Sequence, residues 1–201
     1  MAAIADVRAR AKKIAREHRD QPRRLIELSL RHAEDGDEQL AFEIFRAAPR
    51  AVPEMSTAQI DRLLPALHDW NSTDCFGCFV SGVAWREGVL TNAHIRGWTK
   101  SANLWIRRAA LVSTVPLNLP ARGATAPKGE AKKTLMVCAA SVADREDMVV
   151  KALSWALRSL ASKDPAAVES FINTHRPRLA ARVLRETGNK LTTGLKNPRR
   201  A

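Results

Sequence analysis

The stretch DREDMVVKALSWALRSLASKDP, residues 144–165, decides the fold. On a helix turning about 100° per residue, Val149, Val150, Leu153, Ala156, Leu157 and Leu160 share one side and form an apolar stripe. Asp144 is placed to cap this helix, which should end near Ser162. Asp164-Pro165 starts another at once, with a capping side chain followed by proline at the first helical position.

The same pattern continues in both directions. Downstream, a last basic helix is expected to end near Gly188, with 191–201 as a loose basic tail. Upstream, helices are predicted over 131–140, 102–115 and 91–100. The one clear long loop is 116–129, which holds Pro116, Pro120, Gly123, Pro127 and Gly129. Asn71 or Ser72 can cap a helix ending near Gly88. Ser56 with Gln59 has the capping-box spacing and opens a helix to about His68. Helices over 38–48, 22–32 and 5–18 complete the chain, with Asp35-Gly36-Asp37 as a break. No alternating β-branched run reaches strand length. Short helices on short turns mean a compact bundle or a solenoid of helical pairs. The weak rhyme of WIRRA at 105–109 with WALRS at 155–159 favours degenerate HEAT-like pairs in one domain, 1–201.

Composition narrows the function. A chain of 201 residues, 45% hydrophobic and 27% charged, can bury a real core. Its 33 Lys and Arg against 21 Asp and Glu leave a net charge of +12. That excess points to a polyanionic partner, most commonly nucleic acid, with an acidic membrane surface as the alternative. No window of about 18 apolar residues exists, which excludes a spanning helix, and residues 1–14 lack a signal-peptide core. Three cysteines, an odd number, argue against a disulfide framework and for a reducing cytoplasm. Cys75 and Cys78 spell C-x-x-C without a second pair, and the five histidines show no ligand spacing, so no metal site is expected. P-loop, Gly-rich dinucleotide and G-x-S-x-G signatures are absent from the sequence.

Three residues sit oddly on their helices. Asp74 lies opposite the Phe76, Phe79, Val80 and Val83 stripe, in line with the small Gly77, Cys78 and Ser81. It could serve only the helix dipole, or it could face something that approaches over that row. Trp155 points away from the stripe of its helix, between Lys151 and Arg158. Such an indole either packs under a neighbouring helix or stacks on a ligand whose phosphates the cations hold. Arg108 falls inside the stripe of Leu104, Trp105, Leu111, Val112 and Val115, whereas Arg107 can reach solvent. A buried guanidinium needs carboxylate or phosphate partners, so Arg108 is either a structural ion pair or a functional group.

Three segments carry a family resemblance: WNSTD at 70–74, NLWIRRAA at 103–110 and KALSWALR at 151–158, with ASKDP at 161–165 behind them. In order and spacing they resemble the DNA alkylation repair glycosylases of the AlkD type, over about 7–191. The resemblance implies an all-α superhelical solenoid of HEAT-like antiparallel helix pairs whose concave basic face grips duplex DNA. It implies hydrolysis of the N-glycosidic bond of positively charged N3- and N7-alkylated purines. Carried over by position, it puts the catalytic carboxylate on Asp74, the sugar-contacting tryptophans on Trp70 and Trp155, and the active-site arginine on Arg108. Two departures are visible: Asn71 stands where relatives commonly carry an acid, and the family's N-terminal helical pair is expected to be missing.

The expected mechanism needs one carboxylate. An alkylated purine is already cationic, so it leaves without a general acid, and a fixed anion complements the charge that moves to the sugar. Trp70 and Trp155 would present electron-rich faces to that sugar, worth roughly 0.5–2 kcal/mol each. Arg108 would hold the phosphate beside the lesion and keep Asp74 ionised, with Lys151, Arg158 and Arg107 as further phosphate contacts. The expected partner is alkylated duplex DNA, bound by a cytoplasmic monomer acting on the bacterial nucleoid, with no cofactor and no membrane. The rival is a non-catalytic HEAT-like scaffold for DNA, RNA or protein, with Asp74 and Arg108 as a structural pair.

Overall fold

The structure is a computed structural model that describes residues 4–119 and 130–198. Among these residues it is all-helical, as expected, and no strand occurs. No helix is long and apolar enough to cross a membrane. The chain divides into two compact units between Thr91 and Asn92. Most of the expected 116–129 loop, residues 120–129, lies outside the described residues, as do 199–201.

The first unit holds α1 (Ile4–Glu17), α2 (Pro22–Glu34), α3 (Glu38–Ala47), α4 (Thr57–Asp61), α5 (Trp70–Phe76) and α6 (Gly82–Arg86). Pro22 opens α2 where its missing N–H costs nothing. The Asp35–Asp37 turn, with Gly36 at φ 83°, then folds α3 back onto α2. Leu25, Ile26 and Leu30 of α2 and Leu40, Phe42, Ile44 and Phe45 of α3 are buried in the core of this unit. Within it Glu43, only 1% exposed, is held by Arg8 Nε at 3.1 Å and Arg46 Nη1 at 2.8 Å.

The second unit holds α7 (Asn92–Trp98), α8 (Leu104–Val112), α9 (Val115–Asn118), α10 (Ala131–Ser141), α11 (Asp147–Ala161), α12 (Pro165–His175) and α13 (Ala181–Thr193). It is built around α11, which packs against α8, α10, α12 and α13. Its expected stripe, Val149, Val150, Leu153, Ala156, Leu157 and Leu160, is buried throughout. Asn118 ties the two sides of the 120–129 segment together: its Nδ2 donates to Thr134 Oγ1 at 2.9 Å and its Oδ1 accepts from Glu130 N at 3.1 Å.

The capping box of Ser56 and Gln59 and the Asp164 cap form as predicted, with Asp164 Oδ1 accepting from Ala167 N at 2.9 Å. Several boundaries differ. The helix opened by Ser56 stops at Asp61 and gives way to a 3₁₀ turn over Leu64–Ala66, because Pro65 cannot continue the hydrogen-bond ladder. Asp69, not Asn71 or Ser72, caps α5, its Oδ1 accepting from Ser72 N at 2.7 Å. Asp144 does not cap α11, which begins at Asp147; its carboxylate pairs with Arg107 instead. Residues 115–118, partly assigned to the loop, form the short α9. The last helix passes Gly188 and ends at Thr193, where Gly194 takes the left-handed conformation at φ 74°. A π-turn over Gly77–Ser81 interrupts the helix expected to end near Gly88, between α5 and α6.

Candidate nucleic-acid interface

The expected site residues lie on α5 in the first unit and on α8 and α11 in the second, and each group is described by itself.

On α5, Trp70 and Asp74 are four residues apart and so share one ridge of the helix. Trp70 is 56% exposed, an unusual state for an indole, and Asp74 is half-buried. Behind this ridge Phe76 is buried edge-on against Phe42, ring centroids 5.8 Å apart. The expectation of an open row of small residues in line with Asp74 is corrected. Gly77 and Ser81 are buried, and the Gly77–Ser81 turn is π-helical, so it carries one residue more than the α-turn assumed in projecting that row. Ser81 Oγ donates to Phe76 O at 3.4 Å inside this turn. Single π-turns of this kind recur beside functional sites.

The neighbouring ridge of α5 is gripped by α3. Gln39 Oε1 accepts from Asn71 Nδ2, and Gln39 Nε2 donates to Cys75 Sγ at 3.6 Å. Burial pushes the Cys75 thiol up to about 11, with the Glu43 and Asp74 charges acting the same way. Burial likewise raises the Cys138 thiol. Neither sulfur is a thiolate at neutral pH, so the C-x-x-C spacing carries no thiolate chemistry through Cys75.

In the second unit Arg108 is buried, at 5% exposure, as its place in the α8 stripe predicted. Its Nη1 donates to Met148 O on α11 at 2.5 Å. One step along α11, Asp147 Oδ2 holds Lys151 Nζ at 2.8 Å and Asp147 Oδ1 faces Arg182 Nη2 at 3.5 Å. The Lys151 hydrogen bond, helped by the Arg182 and Arg108 charges, keeps the Asp147 carboxyl below its usual range. The pair therefore persists as pH falls from neutrality and is lost only when pH drops through that lowered value.

Trp155 lies where the helical projection put it. Asp147, Met148, Lys151, Trp155 and Arg158 form the accessible face of α11, opposite the buried stripe. Arg158 Nε reaches Ser154 Oγ at 3.2 Å and lies 3.9 Å from Glu186 Oε2 on α13. Burial draws the Arg158 pKa below its ordinary value, and the Glu186 carboxylate opposes that. Lys151, Trp155 and Arg158 thus share one face of α11, and Arg108 is buried against the start of that helix through Met148 O. Arg107 is as accessible as Arg158, but its Nε and Nη1 are already engaged. Its Nε donates to Asp144 Oδ2 at 2.8 Å and its Nη1 to the carbonyls of Ser101 and Ala102 at 2.9 and 3.0 Å, so these donors strap the start of α8 while part of the side chain stays accessible.

Sequence reasoning passed over the anions that organise this face. Asp147 was legible, since it stands four residues before Lys151 on one helix. Glu186 was not, because its burial at 3% depends on α13 packing against α11. Among the described residues no group of three or more His, Cys, Asp and Glu is placed to hold a metal ion.

No curated protein and no solved structure gives a significant match to this sequence. A family model described as DNA alkylation repair enzyme does, over residues 2–191. That match takes in residues of every helix from α1 to α13, with the ridge of Trp70 and Asp74 and the cationic face of α11 both inside it, and the chain belongs to the DNA alkylation repair enzyme family.

Proposed function

We propose that this DNA alkylation repair enzyme is a glycosylase that hydrolyses the N-glycosidic bond of N3- and N7-alkylated purines in duplex DNA. The observation that carries the reading is the α5 ridge, an exposed indole one turn from a half-buried carboxylate. As the C1′–N bond breaks, its electron pair neutralises the cationic base and positive charge builds on the deoxyribose. Asp74 stabilises that charge and accepts a proton from the water that attacks C1′, leaving free base and an abasic site. Trp70 offers its electron-rich face to the cationic sugar, and Trp155 gives the duplex a second aromatic face. Arg108, Lys151 and Arg158 hold backbone phosphates, which supplies affinity without sequence information. The test incubates the protein with methylated duplex DNA and measures released 7-methylguanine and 3-methyladenine. Release above the buffer rate is expected; none, with DNA binding intact, means a scaffold.

The phosphate role of α11 has its own signature. Lys151→Ala should weaken binding to any duplex and flatten the log–log salt dependence by about one unit. Asp147→Asn should do the opposite, because it releases Lys151 and Arg182 from a competing carboxylate. Titrations at several salt concentrations read both variants, and unchanged slopes would remove this face from the phosphate contacts.

A further inference from the structure

Asn71 and Cys75 are four residues apart, so they form the ridge of α5 next to the one that carries Trp70 and Asp74. A single amide, that of Gln39, bonds both members of this ridge, accepting from Asn71 and donating to Cys75. The contact continues along α3. Glu43, one turn beyond Gln39, is buried between Arg8 and Arg46, and its charge reaches Cys75. Arg46 in turn lies over the ring of Phe79 in the π-turn, 5.6 Å from its centroid. One ridge of α3 therefore tracks one ridge of α5 and the turn behind it.

α5 runs through the π-turn into α6 as one continuous helix, Trp70 to Arg86, and Phe76 packs it on Phe42 of α3. Within that packing the grip on Asn71 and Cys75 fixes the fine rotation about the axis, and with it the direction in which the Trp70–Asp74 ridge faces. We infer that Gln39 is a positioning residue that holds Asp74 in register for its reaction by fixing the roll of α5 on α3. The inference rests on the glycosylase reading of Asp74 and adds a residue that never meets the DNA in order to act.

The experiment compares Gln39→Leu and Gln39→Glu with the parent in single-turnover base release and in equilibrium binding of duplex DNA. Leucine fills the space but bonds neither neighbour, and misplacing a reacting group by about 1 Å can cost on the order of 100-fold. Release should fall by about tenfold or more while the dissociation constant stays within about twofold. Glutamate keeps an acceptor for Asn71, and the protonated Cys75 thiol can donate to it, so this variant should recover most of the rate at alkaline pH. Its added charge beside Asp74 should move the acidic limb of the rate profile to higher pH. An unchanged rate in Gln39→Leu, or a rate loss matched by the loss of binding, overturns the inference. If the parent releases no base, the glycosylase reading falls by itself, and the roll of α5 is then read by amide hydrogen exchange over residues 70–81. Exchange there should speed up in Gln39→Leu and return towards the parent in Gln39→Glu; identical exchange in all three proteins refutes the grip.

Discussion

Asp74→Asn is expected to slow base release by about 10²–10³-fold, the scale on which removal of one preorganised electrostatic partner acts. Asparagine keeps the size and shape of aspartate, so the Trp70 ridge and the buried packing behind it, Phe76 on Phe42, should survive. What is lost is the negative charge. A neutral amide can still order a water but cannot offset a cationic sugar or take up its proton, so the loss falls on the chemical step. Binding should be retained or slightly tightened, because an anion has been taken away from a surface that meets a polyanion. Single-turnover release alongside a binding isotherm separates the two effects. Full activity in Asp74→Asn would remove the carboxylate from the reaction.

Glu186→Ala should cost about 3 kcal/mol of stability, which for a chain of this size lowers Tm by about 6–12 °C. Glu186 accepts from Ser154 Oγ at 2.7 Å, and both residues are buried where α13 meets α11. Around the same carboxylate stand Lys196 at 3.6 Å, Arg158 and Arg182 at 3.9 Å and Arg185 at 4.0 Å. Arg182, Arg185 and Lys196 keep much of their surface in water, so each of those pairs alone is worth little. Removing the anion they share leaves a buried serine without its acceptor and crowds these cations together, with Arg182 keeping the carboxylate of Asp147. Glu186→Gln keeps an acceptor for Ser154 and should cost less than half as much. Thermal unfolding followed by circular dichroism reads both variants, and a shift under about 2 °C in Glu186→Ala would mean that the cluster adds nothing net.

The parts of the fold written in short-range pattern were legible. The α11 stripe, the Ser56 and Asp164 caps and the accessible position of Trp155 each follow from residues within one or two turns of one another. So does the burial of Arg108, which the α8 stripe dictates. Errors came where a distant partner decided the outcome. Asp144 looks like a cap until Arg107, on a different helix, takes its carboxylate. A glycine inside a helix costs about 1 kcal/mol, which made Gly188 look like an end. Burial of Val183, Glu186 and Thr187 beside α11 carries the helix past it. At the site, the ridge of Trp70 and Asp74 was readable from spacing, whereas Gln39 was not, since nothing near residue 39 says that it will bridge residues 71 and 75.

The extra residue in the Gly77–Ser81 turn acts as a phase shifter. Were those five residues to straighten into α-helix with none removed, Val83, Ala84 and Trp85, all buried now, would swing by about 100° relative to Trp70 and Asp74. Either that core or the carboxylate would then face the wrong way, and the core, being larger, would win. Deleting one of the five would instead let the segment run as unbroken α-helix with both faces kept, so a lineage could shed the bulge by a single codon without turning the anion away.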